Sequence, residues 1–237
     1  MSSALISSLF PENAKGALQD NKITTIPLPP TEKLHAPLSN HPDMILFIGW
    51  GNLVCGKEYY EKNSEIIDLI TSSASLALVL SEEEITEEYP HDAVFNAALV
   101  GNNLFCNTRI ISKHILALAQ ENGANIVHVN QGYTKCSTLV VDRDHIVTAD
   151  RGIHKAAQAA GVDSLLISSG NVNLEPYEYG FIGGASGETD GTIYLCGSLE
   201  NHLDGEKISE FIASCGKKCT FLPFDKLTDM GSIIFIK

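Results

Sequence analysis

A recurring order of strand, strand, helix and strand restricts how this chain can fold more than any other feature. In its clearest copy, apolar runs at 137–141 and 145–149 predict two strands joined by a polar corner, residues 153–160 have helical composition, and the run 164–168 predicts a closing strand. Gly161 is suited to end the helix. A unit of this kind cannot bury its apolar face alone, so stacked copies are expected to share one core.

The same order is found in three further segments. In the first of these, strands are predicted at 44–48, 52–55 and 76–80 and a helix at 58–70; in the next, strands at 94–100, 104–106 and 125–129 and a helix at 110–121. In the last, 192–196 is the predicted first strand, the second strand is unclear, and a helix at 206–214 and a strand at 219–222 follow. A fifth copy is divided between the chain ends. Its first strand is predicted at 232–236, while a helix up to Asp20 and a strand at 23–27 supply the rest.

A circular array explains why the fifth copy is divided, because each terminus supplies what the other lacks. An open array would leave an apolar edge strand unpaired. The chain has 237 residues, 44% of them hydrophobic, which is enough for a sizeable core. We therefore predict one α/β domain over residues 1–237, a pseudo-fivefold, propeller-like arrangement of ββαβ units with the helices outside. The alternative is an ordinary layered α/β domain whose units resemble one another by chance.

Charge narrows the classes of partner. With 29 acidic and 16 basic side chains the formal net charge is -13, which repels nucleic acids and anionic membranes. A small cationic ligand is favoured, although acidity also maintains solubility. No apolar run reaches membrane-spanning length, and residues 1–10 lack the basic side chains of a signal or transit peptide. The sequence thus predicts a cytoplasmic protein with a small-molecule ligand and without nucleic-acid or membrane partners, and it leaves a homodimer open.

The six cysteines form no recognisable disulfide or metal pattern. Cys215 and Cys219 resemble half of a zinc site, but no second pair of Cys or His residues has ligand spacing, so neither a metal nor another cofactor is predicted. Cys136 differs because it follows Gly132 and adjoins Lys135, where a cation and backbone N–H groups would lower the thiol pKa and favour a nucleophile. The alternative is a buried cysteine at the start of a strand, with Lys135 in solvent.

Two histidine–carboxylate pairs precede predicted first strands. His41 and Asp43 come before the strand at 44–48, and His91 and Asp92 come before the strand at 94–100. In a circular array these ends converge, so both acids are candidates for a common pocket. Asn96 lies within the second strand and offers an inward amide as donor and acceptor. The alternative is that the aspartates simply open the strands as turn residues.

Four motifs carry a resemblance to a known family. They are His-Pro-Asp-Met at 41–44, Tyr-Pro-His-Asp at 89–92 with Asn96, Gln-Gly-Tyr-Thr-Lys-Cys-Ser at 131–137, and Gly-Phe-Ile-Gly-Gly-Ala-Ser-Gly at 180–187. With the five-unit layout they resemble the pentein fold of the guanidino-group modifying enzymes, which include arginine and agmatine deiminases, amidinotransferases and dimethylarginine hydrolases. The closer resemblance is to an uncharacterised bacterial branch of that fold, and it covers nearly the whole chain.

The chain departs from the enzymes of that superfamily at two places. The enzymes carry a nucleophilic cysteine near the C-terminus, often next to a histidine, and here Ile234 and Phe235 stand at those positions. Their acid/base comes from a His-x-Asp triplet. His202 and Asp204 have that spacing, but they follow a strand into a loop, where Asp204 equally suits a helix N-cap.

The resemblance and the residues together imply a pocket for a cationic guanidino, amidine or amide compound. Its candidate binding residues are Asp43, Asp92, Asn96, Lys135, Gly183 and Gly184, the glycines because they let backbone approach a ligand closely. Two functions stay open. One is a hydrolase or transferase with Cys136 as relocated nucleophile and His41, His91 or His202 as acid/base. The other is a non-catalytic binder or interaction protein, like the ribosome anti-association factor that shares the fold.

Overall fold

Five three-stranded sheets of the same construction make up the fold of residues 2–237, which this computed structural model describes. In each sheet the middle strand pairs antiparallel with the first strand and parallel with the third, and a helix connects the middle strand to the third. The predicted ββαβ units and their fivefold arrangement are therefore confirmed. The assignment of residues 1–237 to one domain stays a prediction.

The first two complete repeats each follow a short helical segment, and the segment before the first repeat is α2 (Pro42–Ile45). The first repeat consists of β3 (Leu46–Gly49), β4 (Asn52–Gly56), α3 (Lys57–Ser73) and β5 (Ala77–Ser81). The second consists of β6 (Ala98–Val100), β7 (Asn103–Cys106), α4 (Lys113–Glu121) and β8 (Asn125–His128), and a single 3-10 turn at His91–Ala93 precedes it.

The next two repeats follow without a break. The third contains β9 (Thr138–Val140), β10 (His145–Thr148), α5 (Arg151–Ala159) and β11 (Asp163–Leu166). The fourth contains β12 (Ser186–Thr189), β13 (Thr192–Leu195), α6 (Gly205–Ser214) and β14 (Lys218–Phe221). Local chemistry fixes the helix ends: the Asp150 carboxylate accepts from Gly152 N at 2.7 Å and Ile153 N at 2.8 Å, and Gly161 has φ 76 just beyond α5.

The fifth repeat joins the two chain ends as predicted. It consists of β15 (Ile234–Ile236) from the C-terminus and of β1 (Ser3–Ser7), α1 (Glu12–Asp20) and β2 (Thr24–Leu28) from the N-terminus. Ala4 lies opposite Phe235 in the antiparallel pair, and Leu5 lies opposite Ile26 in the parallel pair. The sequence analysis missed β1, whose residues stand next to the terminus and before a helix rather than in a recognisable hairpin.

Three strand predictions need correction. Residues 42–45 are helical, so the first strand begins at Leu46 instead of 44; the strand predicted at 94–100 begins only at Ala98, which leaves Asn96 ahead of it. In the fourth repeat the strand predicted as the first is in fact the second. Its true partner, β12, is polar and lacks apolar alternation, and the two are joined by a tight turn in which Asp190 has φ 50 and Gly191 has φ 79.

The first strands of the repeats lie around the middle of the molecule. β12 lies beside both β9 and β15, and β9 also lies beside β6. The segments that enter these strands therefore approach one another at one end of the array, and the helices pack on the opposite edges of the sheets. Within residues 2–237, no helix combines the length and the apolar composition needed to cross a membrane.

Candidate functional site

The five segments that enter the first strands meet at one site. Each contributes a residue two or three positions ahead of its strand: Asp43, Asn96, Cys136, Gly184 and Ser232. Direct hydrogen bonds connect all five segments, because Asn96 contacts Asp43 and Cys136, Gly184 N donates to Cys136 O at 2.9 Å, and Ser232 contacts both Asp43 and Gly183. The fold thus produces a single polar centre from five distant parts of the sequence.

Asn96 is the hub of this centre. Its Nδ2 donates to the Asp43 carbonyl oxygen at 2.9 Å and lies 3.0 Å from Cys136 Sγ. Its Oδ1 accepts from Lys135 N at 2.6 Å and from Cys136 N at 3.3 Å. Both ends of one buried amide therefore hold the Cys136 corner in place, as expected for a buried polar group with several partners.

Charged groups are concentrated beside this hub. Lys135 Nζ donates to Ser232 Oγ at 3.0 Å, and that hydroxyl lies within hydrogen-bonding distance of Asp43 Oδ2. Asp229 accepts from Gly231 N through Oδ1 at 3.0 Å and from Phe181 N through Oδ2 at 2.9 Å. His41 Nδ1 lies 3.8 Å from Asp229 Oδ1 and has no hydrogen-bond partner in the part of the chain described.

Burial controls the protonation of these groups. It raises the pKa of the Asp43 carboxyl, and it raises the pKa of Asp229 to about 6. It lowers the pKa of the Lys135 ammonium, against the opposing attraction of Asp43, and it lowers the pKa of His41, so that the imidazole is neutral at pH 7. The site therefore contains two buried carboxyl groups, one buried ammonium and a neutral histidine.

A cavity of about 220 Å³ opens next to the charged groups. His41, Cys136 and Asp229 form its polar lining. The rest of its wall is apolar or aromatic and consists of Leu38, Met44, Tyr133, Leu174, Tyr177, Tyr179 and Phe181. The ring centroids of Tyr133 and Phe181 are 6.2 Å apart and those of Tyr179 and Phe181 are 6.4 Å apart, so the aromatic side chains form a continuous wall.

Asp92 and His91 do not join this centre. The Asp92 carboxylate accepts a hydrogen bond from the Tyr133 hydroxyl, and the His91 side chain is exposed. His202 lines a separate cavity of about 170 Å³, and its Nδ1 accepts from Asp204 N at 3.0 Å. Asp204 also accepts from Ser168 N at 2.7 Å, so this triplet organises the start of α6 and the nearby loop.

The expected activation of Cys136 is not supported by its surroundings. Burial raises the pKa of the thiol well above its ordinary value, and the neighbouring Asp43 and Asp229 raise it further. The sequence predicts a lowered pKa from the adjacent Lys135, but burial, the largest cause, and the two carboxyl groups raise it instead. Cys136 is 3% exposed and rests as a thiol against the Asn96 amide.

The two glycines approach backbone closely, but the backbone is that of the chain itself. A Cβ on Gly183 would collide with the carbonyl oxygens of Lys135, Cys136 and Thr138, and a Cβ on Gly184 would collide with the Asp229 carboxylate. These positions therefore need glycine so that the 183–184 segment can pack against the Cys136 corner. Neither glycine lines the 220 Å³ cavity.

Several residues of the polar centre and the cavity wall were not predicted from the sequence. Asp229 and Ser232 lie in the irregular segment that precedes β15, and Tyr177 and Tyr179 lie in the long loop before β12. The sequence does offer a signal, because the four tyrosine and phenylalanine residues at 133, 177, 179 and 181 are unusual in otherwise Gly- and Asn-rich loops. Periodicity cannot reveal them, since none lies in a regular element.

A family model decides where this chain belongs. Residues 5–234 match the model described as a family of unknown function, DUF6873. The chain is a member of that family. No curated protein sequence matches it.

Solved structures share its fold at low sequence identity. An amidinotransferase of the saxitoxin pathway from Microseira wollei has a TM-score of 0.56 and 10% identity, with 88% of this chain and 72% of that chain covered. A variant of DDAH from Pseudomonas aeruginosa in complex with citrulline has a TM-score of 0.53 and 11% identity, with coverage of 93% and 91%. C. jejuni agmatine deiminase has a TM-score of 0.51 and 8% identity, with coverage of 93% and 75%. The predicted resemblance to penteins is thus confirmed for the fold, whereas the cytoplasmic location, the bacterial origin and a homodimer stay predictions.

Proposed function

We propose that this protein binds a small organic cation with a planar guanidinium or amidinium group in the aromatic cavity, next to Asp229. The observation that carries the proposal is a charge imbalance at the cavity wall. Asp43 and Asp229 are both about 2% exposed, and Lys135 is the buried cation that attracts both of them. One carboxylate therefore lacks a compensating charge.

An unpaired buried carboxylate is costly, so it takes up a proton or a cationic partner. His41 does not compensate it, because its imidazole is neutral and its Nδ1 is 3.8 Å from Asp229 Oδ1. With a pKa of about 6, Asp229 is mostly ionised at pH 7, and it lines the cavity. The ligand that best satisfies this wall presents one positively charged group to it.

The aromatic wall restricts the kind of cation. Rings of Tyr and Phe within about 6 Å of a cation attract it through their π faces. A guanidinium is planar and more weakly hydrated than an ammonium, so an aromatic wall favours it over a lysine-like amine. Support comes from the fold neighbours, which include an agmatine deiminase.

A second candidate function is hydrolysis or group transfer that uses Cys136. The observation in its favour is that Cys136, His41 and Asp229 line the same cavity, a set of nucleophile, base and carboxylate. In such a reaction the Cys136 proton passes to the neutral imidazole of His41 while Sγ bonds to the amidine carbon. The departing amine then takes that proton, and water releases the product. The raised thiol pKa makes this step depend on His41 and on a bound cation beside the sulfur.

Binding is tested by thermal shift and calorimetry with agmatine, arginine and benzamidine, each beside a neutral isostere such as citrulline for arginine. The cations are expected to raise Tm by mass action, and the neutral compounds are not. Asp229→Asn should remove the shift, and Asp225→Asn, an exposed aspartate on the same segment, should retain it. Equal stabilisation by cations and neutral isosteres would contradict the proposal.

Turnover is tested separately by the release of ammonia or amine from each cation that binds. Catalysis requires that Cys136→Ser abolish release and keep the thermal shift, while Cys106→Ser, a buried cysteine in β7, leaves both unchanged. Binding without release in the wild-type protein would leave the binding function standing and would reject the catalytic one.

A further inference from the structure

A second cluster of reactive side chains lies at the contact between the third and fourth repeats. Asp142 lies in the turn between β9 and β10, His145 is the first residue of β10, and Cys215 follows the last residue of α6. β9 begins two residues after Cys136 and ends before Asp142, so this cluster lies at the opposite end of the strand from the central cavity. None of the three residues lines that cavity.

We propose that Asp142, His145 and Cys215 form a binding site for a divalent transition metal ion of the zinc type. One potential ligand atom from each residue lies within 4.8 Å of the other two, and His145 Nδ1 is 2.8 Å from Asp142 Oδ1. In a tetrahedral zinc site with bonds of about 2.0–2.3 Å, neighbouring ligand atoms are roughly 3.3–3.7 Å apart. To reach that geometry, His145 Nδ1 and Asp142 Oδ1 exchange their hydrogen bond for bonds to the ion and move apart by roughly 0.5–0.9 Å, and Cys215 Sγ moves inward.

The ligand types select the class of metal. A thiolate, an imidazole and a carboxylate together suit zinc and its neighbours in the transition series, whereas magnesium and calcium prefer oxygen ligands alone. Three protein ligands leave a fourth position for water. Binding displaces the Cys215 proton to solvent, since the thiolate is the form that ligates.

The three side chains are already held in place by their neighbours. Asp142 Oδ1 accepts from Asp144 N at 2.8 Å, which fixes the turn. The His145 ring packs edge-on against Phe211 at 6.0 Å and 72°, and the Cys215 N–H donates to the Phe211 carbonyl oxygen at 3.2 Å. Phe211 therefore connects the histidine of one repeat with the cysteine of the next.

Access and local charge both favour a cation here. Asp142, His145 and Cys215 are each partly exposed, in contrast to the buried Cys136. Asp163 lies opposite His145 in the strand register, and Asp144 belongs to the same turn as Asp142. The basic groups nearby are Arg143 and Lys217, and the Lys217 ammonium is paired with Glu188 at 3.0 Å. The acidic groups around the ligand atoms therefore outnumber the unpaired basic ones.

The sequence predicts no metal because spacing along the chain offers no ligand set, and this proposal departs from that prediction because the fold brings distant residues together. Asp142 and Cys215 are distant in sequence, and Cys219, the partner suggested by sequence, lies outside the cluster. A bound ion would join the β9–β10 turn to the end of α6, so it would add a link between two repeats that also share an apolar cluster. Its binding would add to stability in proportion to metal concentration.

The test is titration of the chelator-treated, reduced full-length protein with Zn²⁺ and Co²⁺. We expect one equivalent to bind, a raised Tm, and a cobalt–thiolate charge-transfer band. Cys215→Ser should abolish the band and weaken binding at least tenfold. Cys219→Ser, also partly exposed and four residues away, should retain both.

Asp142→Asn should weaken binding with little change in fold, because the amide oxygen can still accept from Asp144 N. The proposal is overturned if neither metal binds stoichiometrically, if Cys215→Ser binds as the wild type does, or if the band disappears with Cys136→Ser instead. Circular dichroism of each variant separates lost ligation from lost folding.

Discussion

His41 and His91 each stand beside an aspartate at the entry to a repeat, yet their surroundings differ. His41 and Asp43 are 3% and 2% exposed; Asp43 belongs to the network that contains Lys135 and Ser232, and His41 lines the cavity beside Asp229. His91 is exposed, and its neighbour Asp92 is buried but is paired with the Tyr133 hydroxyl away from that network.

Distance to the first strand explains the difference. Asp43 lies three residues before β3, and its N–H donates to the Gly231 carbonyl oxygen at 3.1 Å, which holds it at the centre. Asp92 lies six residues before β6, so Asn96, two residues before that strand, occupies the corresponding place. Position relative to the strand, more than residue type, decides which side chain reaches the centre.

The largest effect that would test this comparison is expected at Lys135. Lys135→Met leaves Asp43 and Asp229 without a buried cation, so the free energy of unfolding should fall by about 3–5 kcal/mol in urea denaturation. Lys113→Met, at an exposed lysine, should change it by less than about 0.5 kcal/mol. A loss below about 1 kcal/mol at Lys135 would mean that the two carboxyl groups hold protons instead of charge.

The pH dependence of stability should show the raised pKa of Asp229. The folded state holds this proton up to about pH 6, whereas the ordinary value of 3.8 applies after unfolding. The folded state therefore binds more protons between those values, and stability falls as pH rises through the window, by about 3 kcal/mol for this group. Asp43, whose pKa is also raised, adds a change of the same sign.

His41 acts in the opposite direction, because its lowered pKa costs stability as pH falls below 6.5. The difference between wild type and Asp229→Asn isolates the Asp229 contribution, and it is measured by chemical denaturation from pH 4 to pH 7. Binding of agmatine should strengthen about tenfold from pH 5 to pH 7 as Asp229 ionises. Parallel stability curves for the two proteins would rule out a raised pKa.

The architecture was predictable because it depends on a repeated pattern of apolar segments. That pattern can be recognised even when the predicted ends of strands and helices are wrong by a few residues. The termini complete one another, and three of the five helix and strand orders match the expected ones, since β12 and β1 were not predicted. The fourth repeat was misread since β12 is polar, although the Asp190-Gly191 pair is a typical hairpin turn and could have located it.

The site was less predictable because it depends on where a strand starts. The strand predicted to start at 94 starts at Ala98, so Asn96 lies in the loop before the strand instead of on a strand face. From that loop its side chain contacts Asp43 and Cys136, which precede the first strands of two other repeats. Asp43, Asn96 and Cys136 were correctly expected to meet. Asp229 was overlooked because it lies in an irregular segment, where neither periodicity nor spacing marks an inward side chain.

A smaller effect is expected at Tyr133, on the Asp92 side of the comparison. Tyr133→Phe removes the hydroxyl that donates to Asp92 Oδ2, while Asp92 Oδ1 already has no side-chain or backbone partner in the described residues. Leaving this acceptor unsatisfied should cost about 1–3 kcal/mol in the free energy of unfolding. Tyr177→Phe, at an exposed hydroxyl, should be close to neutral.

A double-mutant cycle sharpens that result. If the hydroxyl matters through Asp92, then Tyr133→Phe should cost much less in an Asp92→Asn background than alone. If the losses in the free energy of unfolding were additive, the effect of Tyr133→Phe would come from its packing in the aromatic wall and not from its hydrogen bond to Asp92.

The smallest effect is expected at His91, and it separates the two histidines most directly. An exposed side chain with no partner in the described residues contributes little, so His91→Ala should change the free energy of unfolding by less than about 0.5 kcal/mol and should leave the agmatine-induced shift in Tm intact. His41→Ala removes a buried ring that lines the cavity and packs against Gly231, so it should cost about 2–3 kcal/mol and weaken the shift. If His91→Ala instead abolished binding or turnover, the second repeat would contribute its acid/base residue from the outer surface. The rule that proximity to the first strand selects the functional side chain would then be wrong.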